Sequence, residues 1–166
     1  LQLVSQVCYN KFNLTIGGYM QFLFITLFLI ITTNSFSISW TKEFNGMSSS
    51  EEIKLSDGGT VSHYKNSGNW KDSLGNYGTQ KCFGTILINS SKRIEDWTLF
   101  CEGMDQDRNH FVLEYFRNSD MEAGTGSYIF IDGTGKWKEF IGTKCNYAIN
   151  YLDNAMFNFD KCESKK

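Results

Sequence analysis

Short runs of alternating apolar and polar residues make up most of the chain after residue 37, and this period of two predicts β-strands. Clusters of Gly, Asn, Asp and Ser separate the runs, as residues of tight turns do. No window carries the apolar stripe of an amphipathic helix. The expected strands are Ser39–Phe44, Glu52–Leu55, Thr60–Lys65, Lys81–Ile88, Ile94–Glu102, His110–Arg117, Ser127–Ile131, Trp137–Ile141, Asn146–Leu152 and Ala155–Lys161.

Many short strands at this spacing favour an all-β domain. The composition agrees, because 16% of the residues are aromatic and the chain has fifteen glycines but no proline. We expect a single antiparallel β-barrel of about eight strands, arranged as a meander. A β-sandwich is the alternative fold.

Four cysteines in the strand-rich region suggest two disulfide bonds. The first two lie at equal distances from one polar turn and the last two at equal distances from Asp153-Asn154. Each pair would therefore face across an antiparallel hairpin, where two side chains come close enough to bridge. The predicted bridges are Cys82–Cys101 and Cys145–Cys162. Zinc ligation and thiol redox chemistry are disfavoured, because the sequence has neither paired C-x₂₋₄-C knuckles nor C-x-x-C.

The segment from residue 20 to residue 37 has the pattern of a secretory signal peptide. Phe22–Ile31 is apolar with a single Thr, and ten residues of helix span only about half of a bilayer core. Small residues at Ser35 and Ser37 predict cleavage after Ser37. The expected mature protein is 38–166, periplasmic or secreted, with no membrane span.

Residues 1–19 are expected to be translated upstream DNA. The peptide Ile16–Met20 can be encoded by a sequence that contains AGGAGG, a bacterial ribosome-binding sequence, ahead of an ATG codon. Translation is then expected to start at Met20.

The charge and the motifs exclude several functional classes. Sixteen Lys and Arg against eighteen Asp and Glu give a net charge of −2, which disfavours nucleic-acid binding. The segment Asp105–Asn109 begins like a calcium loop but lacks the later Gly and Glu, so a polar turn is expected. His63 and His110 have no metal-ligand spacing. We predict no metal, no cofactor and no catalytic residue.

Four residues are candidates for contacting a ligand inside the barrel: Glu114, Tyr115, Trp97 and Trp137. Glu114 lies between bulky neighbours, and an inward position would raise its pKa and suit it to hold a polar ligand group. An outward, solvated Glu114 is the simpler alternative. The tryptophans could equally fill the core.

A local resemblance bears on the fold. The segment Asp132–Lys138, followed by Ile141-Gly142, resembles the D-G-T-G-K-Y-K hairpin of small allene-oxide-cyclase-like and lipocalin-like (calycin-type) β-barrels. That resemblance implies eight antiparallel strands and a hydrophobic ligand. The chain is also similar to uncharacterised exported proteins of marine bacteria, with the matching segment Gly68–Cys82. This second resemblance implies no activity.

Three functions fit these features. The first is a non-enzymatic exported barrel that binds a small apolar ligand. The second is a cell-envelope interaction or structural module with a solid core and an unknown protein partner. The third is a small-barrel isomerase or cyclase that uses Glu114 or Tyr115 in acid–base chemistry. A filled barrel interior would argue against the first and the third.

Overall fold

A computed structural model of the protein describes residues 37–117 and 124–165. The predicted upstream segment 1–19, and the predicted signal peptide up to residue 36, lie outside the described residues. The described residues form eight antiparallel strands that follow one another around a closed barrel, in which β8 pairs with β1. The prediction of a single all-β meander barrel is confirmed, and the sandwich alternative is wrong. The strands are β1 Ser37–Lys54, β2 Thr60–Asp72, β3 Tyr77–Ile88, β4 Ile94–Asp105, β5 His110–Phe116, β6 Thr125–Gly133, β7 Lys144–Leu152 and β8 Ala155–Lys165.

The first strand is longer than the sequence predicts. Two strands were expected in the region that β1 spans without a break, because the polar stretch 45–51 has the composition of a turn. That stretch pairs with β2 along its whole length but with β8 only as far as Met47. Its polar side chains are tolerated because most of them face solvent.

Both predicted disulfides are present. Cys82 pairs directly with Cys101 across β3 and β4, and Cys145 pairs directly with Cys162 across β7 and β8. The same register continues beyond the cysteines, since Trp97 faces Ile86. All four cysteine side chains are buried. Because the β3–β4 and β7–β8 hairpins lie four strands apart around the closed barrel, the two bridges lie on opposite sides of the barrel.

The segment 135–140 is a 3₁₀ helix, η1, rather than the predicted strand Trp137–Ile141. The segment that resembles the calycin-type hairpin therefore consists of the end of β6, at Gly133, and η1. The indole N–H of Trp137 donates to the carboxylate of Asp105 over 2.9 Å, and its ring lies 4.7 Å from that of Phe111. This tertiary contact outweighs the strand propensity of an aromatic residue, and Trp137 fills one end of the barrel.

Asp105 also forms the turn between β4 and β5. Its carboxylate accepts from the backbone N–H groups of Asp107 and Asn109 over 2.9 and 2.8 Å. The expected polar turn at Asp105–Asn109 is confirmed. Burial alone would raise the pKa of Asp105, yet donors that include Asn109, Lys136 and Trp137 outweigh it and hold the pKa below its ordinary value.

Candidate functional site

The barrel interior keeps a small cavity at the end opposite η1. We call it the tyrosine cavity, because Tyr64, Tyr115, Tyr147 and Tyr151 lie in its wall. These residues come from β2, β5 and β7, whose inward positions alternate with solvent-facing ones. Apolar side chains complete much of the wall: Phe44, Leu99, Ile149 and Met156.

The tyrosine cavity is nearly filled in this conformation. Its open volume is about 20 Å³, which is room for about one water molecule. The hydroxyl of Tyr64 lies 3.3 Å from the hydroxyl of Tyr151 and 3.3 Å from the sulfur of Met156. These contacts join β2 to β7 and β8 across the mouth, where Tyr151 remains 49% exposed.

Four polar atoms around the tyrosine cavity have no hydrogen-bond partner in the described part of the chain. They are the amide oxygens of Asn66 and Asn158, the indole nitrogen of Trp97 and Nε of Arg117. All four residues line the tyrosine cavity. They are also the full set of such buried side-chain atoms that residues 37–117 and 124–165 contain. Buried polar atoms in native proteins are nearly always paired, so this clustering makes the tyrosine cavity the candidate functional site.

The floor of the cavity rests on a buried ion pair. The ammonium group of Lys42 lies 3.2 Å from the carboxylate of Asp160, and the two side chains are 3% and 0% exposed. Lys42 also donates to Gln80 over 3.0 Å, and Tyr128 donates to Asp160 over 2.9 Å. The amide nitrogen of Asn158 donates to the other carboxylate oxygen. The Lys42 ammonium and both carboxylate oxygens of Asp160 thus have hydrogen-bond partners, in contrast to the four unpartnered atoms of the cavity above them.

Burial controls protonation in this region. It raises the pKa of Asp160 and lowers that of Lys42, while the attraction between the two groups opposes both shifts. Burial and the nearby Asp160 carboxylate raise the pKa of Tyr115 well above its ordinary value. Burial likewise raises the pKa of Tyr147 to about 12. The phenols of Tyr115 and Tyr147 are therefore neutral hydrogen-bonding groups at physiological pH.

The charged group of the cavity is a guanidinium. Among the described residues that line it, Arg117 is the one member of the set Asp, Glu, Lys and Arg. The guanidinium carbon lies 5.6 Å from the centre of the Trp97 ring, a cation–π contact. The two unpartnered donors of the cavity are thus neighbours at its mouth.

The chain matches no protein-family model, no curated protein and no solved structure. The resemblances to calycin-type barrels and to exported marine-bacterial proteins therefore stay predictions. No helix of the described residues is long and apolar enough to cross a membrane.

The structure brings two of the four predicted ligand contacts together. Tyr115 and Trp97 both line the tyrosine cavity. Trp137 does not line it, because that residue lies in η1 and packs into the other end of the barrel. Glu114 does not line it either. The inward residues of β5 are Phe111, Leu113 and Tyr115, so Glu114 faces outward and lacks the inward carboxylate position that proton transfer would need.

Sequence reasoning missed Asn66, Asn158, Arg117 and Gln80. The alternation of inward and outward positions along each strand could have identified the two asparagines. Asn66 is two residues from the inward Tyr64, and Asn158 is two residues from the inward Met156, so both asparagines occupy positions where a strand normally carries an apolar side chain.

A wider groove of about 590 Å³ lies on the outer surface over β2, β3 and β4. Its charged side chains pair with one another. Glu102 lies 2.7 Å from Lys81 and 3.3 Å from Nδ1 of His110. The hydrogen bond from Lys81 is the main cause of the lowered pKa of Glu102. In the described part of the chain, no group of three or more His, Cys, Asp and Glu side chains has the geometry to hold a metal ion.

Proposed function

We propose that the protein is an exported β-barrel that binds a small, largely apolar molecule in the tyrosine cavity and does not transform it. The observation that carries this proposal is the clustering of four unpartnered polar atoms, from Asn66, Trp97, Arg117 and Asn158, in one cavity with aromatic and aliphatic walls. Ligand sites combine apolar walls with a few convergent polar groups in this way.

The free-energy cost of leaving these buried atoms unpaired favours the binding of a ligand. A buried polar atom without a partner costs about 1–3 kcal/mol, so four of them at one place carry a considerable cost in the free protein. A ligand that pairs with them recovers part of that cost. One water molecule fits the open space, but a water forms only about three hydrogen bonds and cannot reach both the mouth and the floor.

Binding requires the mouth to open, because the present volume of about 20 Å³ holds only about one water. Tyr151 is the side chain best placed to move. It is half exposed and is held across the mouth by its hydroxyl contact with Tyr64. An exposed side chain changes rotamer on a timescale far shorter than most binding events, so this step does not require the barrel wall to separate.

One observation supports export. Two disulfides, Cys82–Cys101 and Cys145–Cys162, fit an oxidising compartment outside the cytoplasm.

Native mass spectrometry tests the proposal. The protein is exported into a bacterial periplasm and its intact mass is recorded under native and denaturing conditions. We expect the mass of residues 38–166 with two disulfides, plus an adduct that denaturation removes. Tyr115→Leu, in the cavity wall, should lose the adduct, and Phe83→Leu on the outer surface should keep it. A clean native mass, or an adduct that both variants retain equally, would contradict the proposal.

The small volume of the cavity favours a second candidate, an envelope interaction module with a solid core. Outward-facing Phe157 and Phe159 of β8 are 48% and 50% exposed, and Met47 of the adjacent strand is 58% exposed. Adjacent exposed apolar side chains of this kind are common at protein–protein contacts. A clean native mass together with a stable protein complex recovered from the periplasm would support this function instead.

A further inference from the structure

The tyrosine cavity has two chemically different ends. From them we infer that its ligand is a small aromatic carboxylic acid that carries a hydrogen-bond donor, such as a hydroxyl group, at the opposite end. The carboxylate would lie at the mouth against Arg117 and Trp97, and the donor would reach Asn66 and Asn158 at the floor. This inference rests on the proposed function and names the class of ligand.

The two unpartnered atoms at the mouth are both donors. Nε of Arg117 and Nε1 of Trp97 are buried and have no partner within the described ranges, and the two groups lie side by side. Among the described lining residues no acidic side chain offsets the positive charge of Arg117. A guanidinium N–H and an indole N–H that line the same mouth can each donate to one oxygen of a carboxylate.

The floor offers acceptors that point into the cavity. Asn66 and Asn158 are both 5% exposed, and the amide oxygen of each lacks a partner among the residues that the structure describes. The orientation of Asn158 is fixed, because its nitrogen donates to the carboxylate of Asp160. Its oxygen must therefore face away from Asp160. Two amide oxygens accept from a hydroxyl or an N–H and repel a carboxylate.

The two ends lie at different levels of the barrel. Asn66 pairs with Cys82, and Cys82 pairs with Cys101 on β4, whereas Trp97 precedes Cys101 by four residues. Four residues of strand correspond to about 13 Å between Cα atoms. The wall includes the aromatic side chains of Tyr64 and Tyr115. A phenyl ring that joins two polar groups suits such a wall.

Other ligand classes leave part of the site unused. A purely apolar molecule leaves all four buried polar atoms unpartnered. A cationic ligand would be repelled by the guanidinium of Arg117, because like charges in a cavity with apolar walls are poorly screened. An acid without the distal donor satisfies the mouth and leaves the floor oxygens unpaired.

Four matched probes test these requirements by calorimetry. They are 3-(4-hydroxyphenyl)propanoate, which has both groups; 3-phenylpropanoate, which lacks the hydroxyl; 4-ethylphenol, which lacks the carboxylate; and tyramine, which replaces the acid by an ammonium group. We expect the first probe to bind about tenfold more tightly than each of the next two, a difference of about 1.4 kcal/mol in binding free energy. Tyramine should bind more weakly than 4-ethylphenol.

The indole ¹H–¹⁵N signals report where a probe binds. The Trp97 signal should shift on addition of an acid. The indole N–H of Trp70 donates to the Thr79 carbonyl over 3.0 Å and that of Trp137 donates to Asp105, so both signals should stay in place. A binding event that shifts Trp70 or Trp137 and not Trp97 would overturn the inference.

Arg117→Gln should abolish the increase in affinity that the carboxylate gives. The affinity for 4-ethylphenol should stay within about twofold of that of the unaltered protein. Arg117→Lys should retain part of the gain, since it keeps the charge. Arg108→Gln, in the β4–β5 turn at the other end, is the matched control and should bind like the unaltered protein.

The outcomes separate the inference from the proposed function. If 4-ethylphenol binds and the carboxylate adds nothing, or Arg117→Gln has no effect, the acid inference is wrong and the proposed function stands. If no probe binds at millimolar concentration and the Trp97 signal is unchanged by all four, the acid inference is overturned, and the native mass measurement alone decides the proposed function.

Discussion

Replacing Asn66 by Leu should stabilise the protein. Asn66 is 5% exposed, and its amide oxygen has no partner in the described part of the chain. The substitution removes a buried polar atom that costs about 1–3 kcal/mol and replaces the amide with an apolar side chain of similar size. Allowing for imperfect packing of the new methyl groups, we expect the free energy of unfolding to rise by about 1–2 kcal/mol.

Urea unfolding under oxidising conditions, followed by tryptophan fluorescence, measures this change. For a domain of this size the increase corresponds to a rise in Tm of about 3–6 °C. Asn69→Leu is the control, since Asn69 is an exposed residue of the same strand and its replacement should change stability by less than about 0.5 kcal/mol. Most substitutions destabilise proteins, so the predicted direction is itself a strict test.

A loss of stability on Asn66→Leu would refute the reasoning. It would mean that the amide oxygen is satisfied in solution, and the cavity would then lose one of the four atoms on which the proposed function rests. If the variant is more stable and also binds 3-(4-hydroxyphenyl)propanoate more weakly, the same oxygen serves the ligand at a cost to the fold, which is the trade-off expected of a functional site.

Three further predictions concern the barrel. Removing the bridge with Cys145→Ala and Cys162→Ala, which are 17 residues apart, should lower the unfolding free energy by about 3 kcal/mol in urea titrations, and an unchanged midpoint would contradict this. Asp105→Asn should lose stability above pH 4 and approach the unaltered protein below it. The reason is that a carboxylate with a depressed folded-state pKa contributes stability above its unfolded pKa and loses that contribution as the pH falls; thermal melts from neutral to acidic pH check the convergence. Gly103→Ala should destabilise by about 1–3 kcal/mol, because the added carbon would lie 2.0 Å from the buried ring of Phe111, and an unchanged Tm would show that the ring can move aside.

The sequence was most informative where local signals agreed. In the β3–β4 and β7–β8 hairpins, alternation, turn residues and symmetric cysteines all pointed to the same pairing, and the observed register follows it. At Asp153 the backbone adopts a φ of +52°, the left-handed conformation that the Asp-Asn turn predicts.

The errors occurred where tertiary contacts decide the structure. The stretch 45–51 has the composition of a turn, yet β1 continues through it because β2 supplies hydrogen bonds along its length. Trp137 looked like a strand residue, but its contact with Asp105 requires a 3₁₀ turn that aims the indole into the barrel end. The deciding contacts come from β2 in the first case and from Asp105 in the second. Both are distant in sequence from the residues they affect, so a local sequence pattern does not reveal these contacts.

The candidate site was predicted only in part for a related reason. Trp97 and Tyr115 are large and aromatic and attract attention in a sequence, and both line the cavity. Asn66 and Asn158 are common surface residues, and their inward position becomes evident only when the strand parity is known. Glu114 illustrates the converse, because a charged residue among bulky neighbours looked functional until the parity of β5 placed it outside.

The pairing of β8 with β1 has a consequence for how the chain folds during synthesis. Ser37 pairs with Lys165, so the contacts that close the barrel join residues from the two ends of the described chain. The hairpins that contain the disulfides can form as soon as each is made, whereas one side of β1 has no partner until the last strand is complete. Such long-range contacts slow folding and leave an edge open to wrong pairing in the interval. The part of β1 that waits for β8 is Ser37–Met47, and the charged Lys42 and Glu43 within it are side chains of the kind that discourage wrong pairing at an open edge.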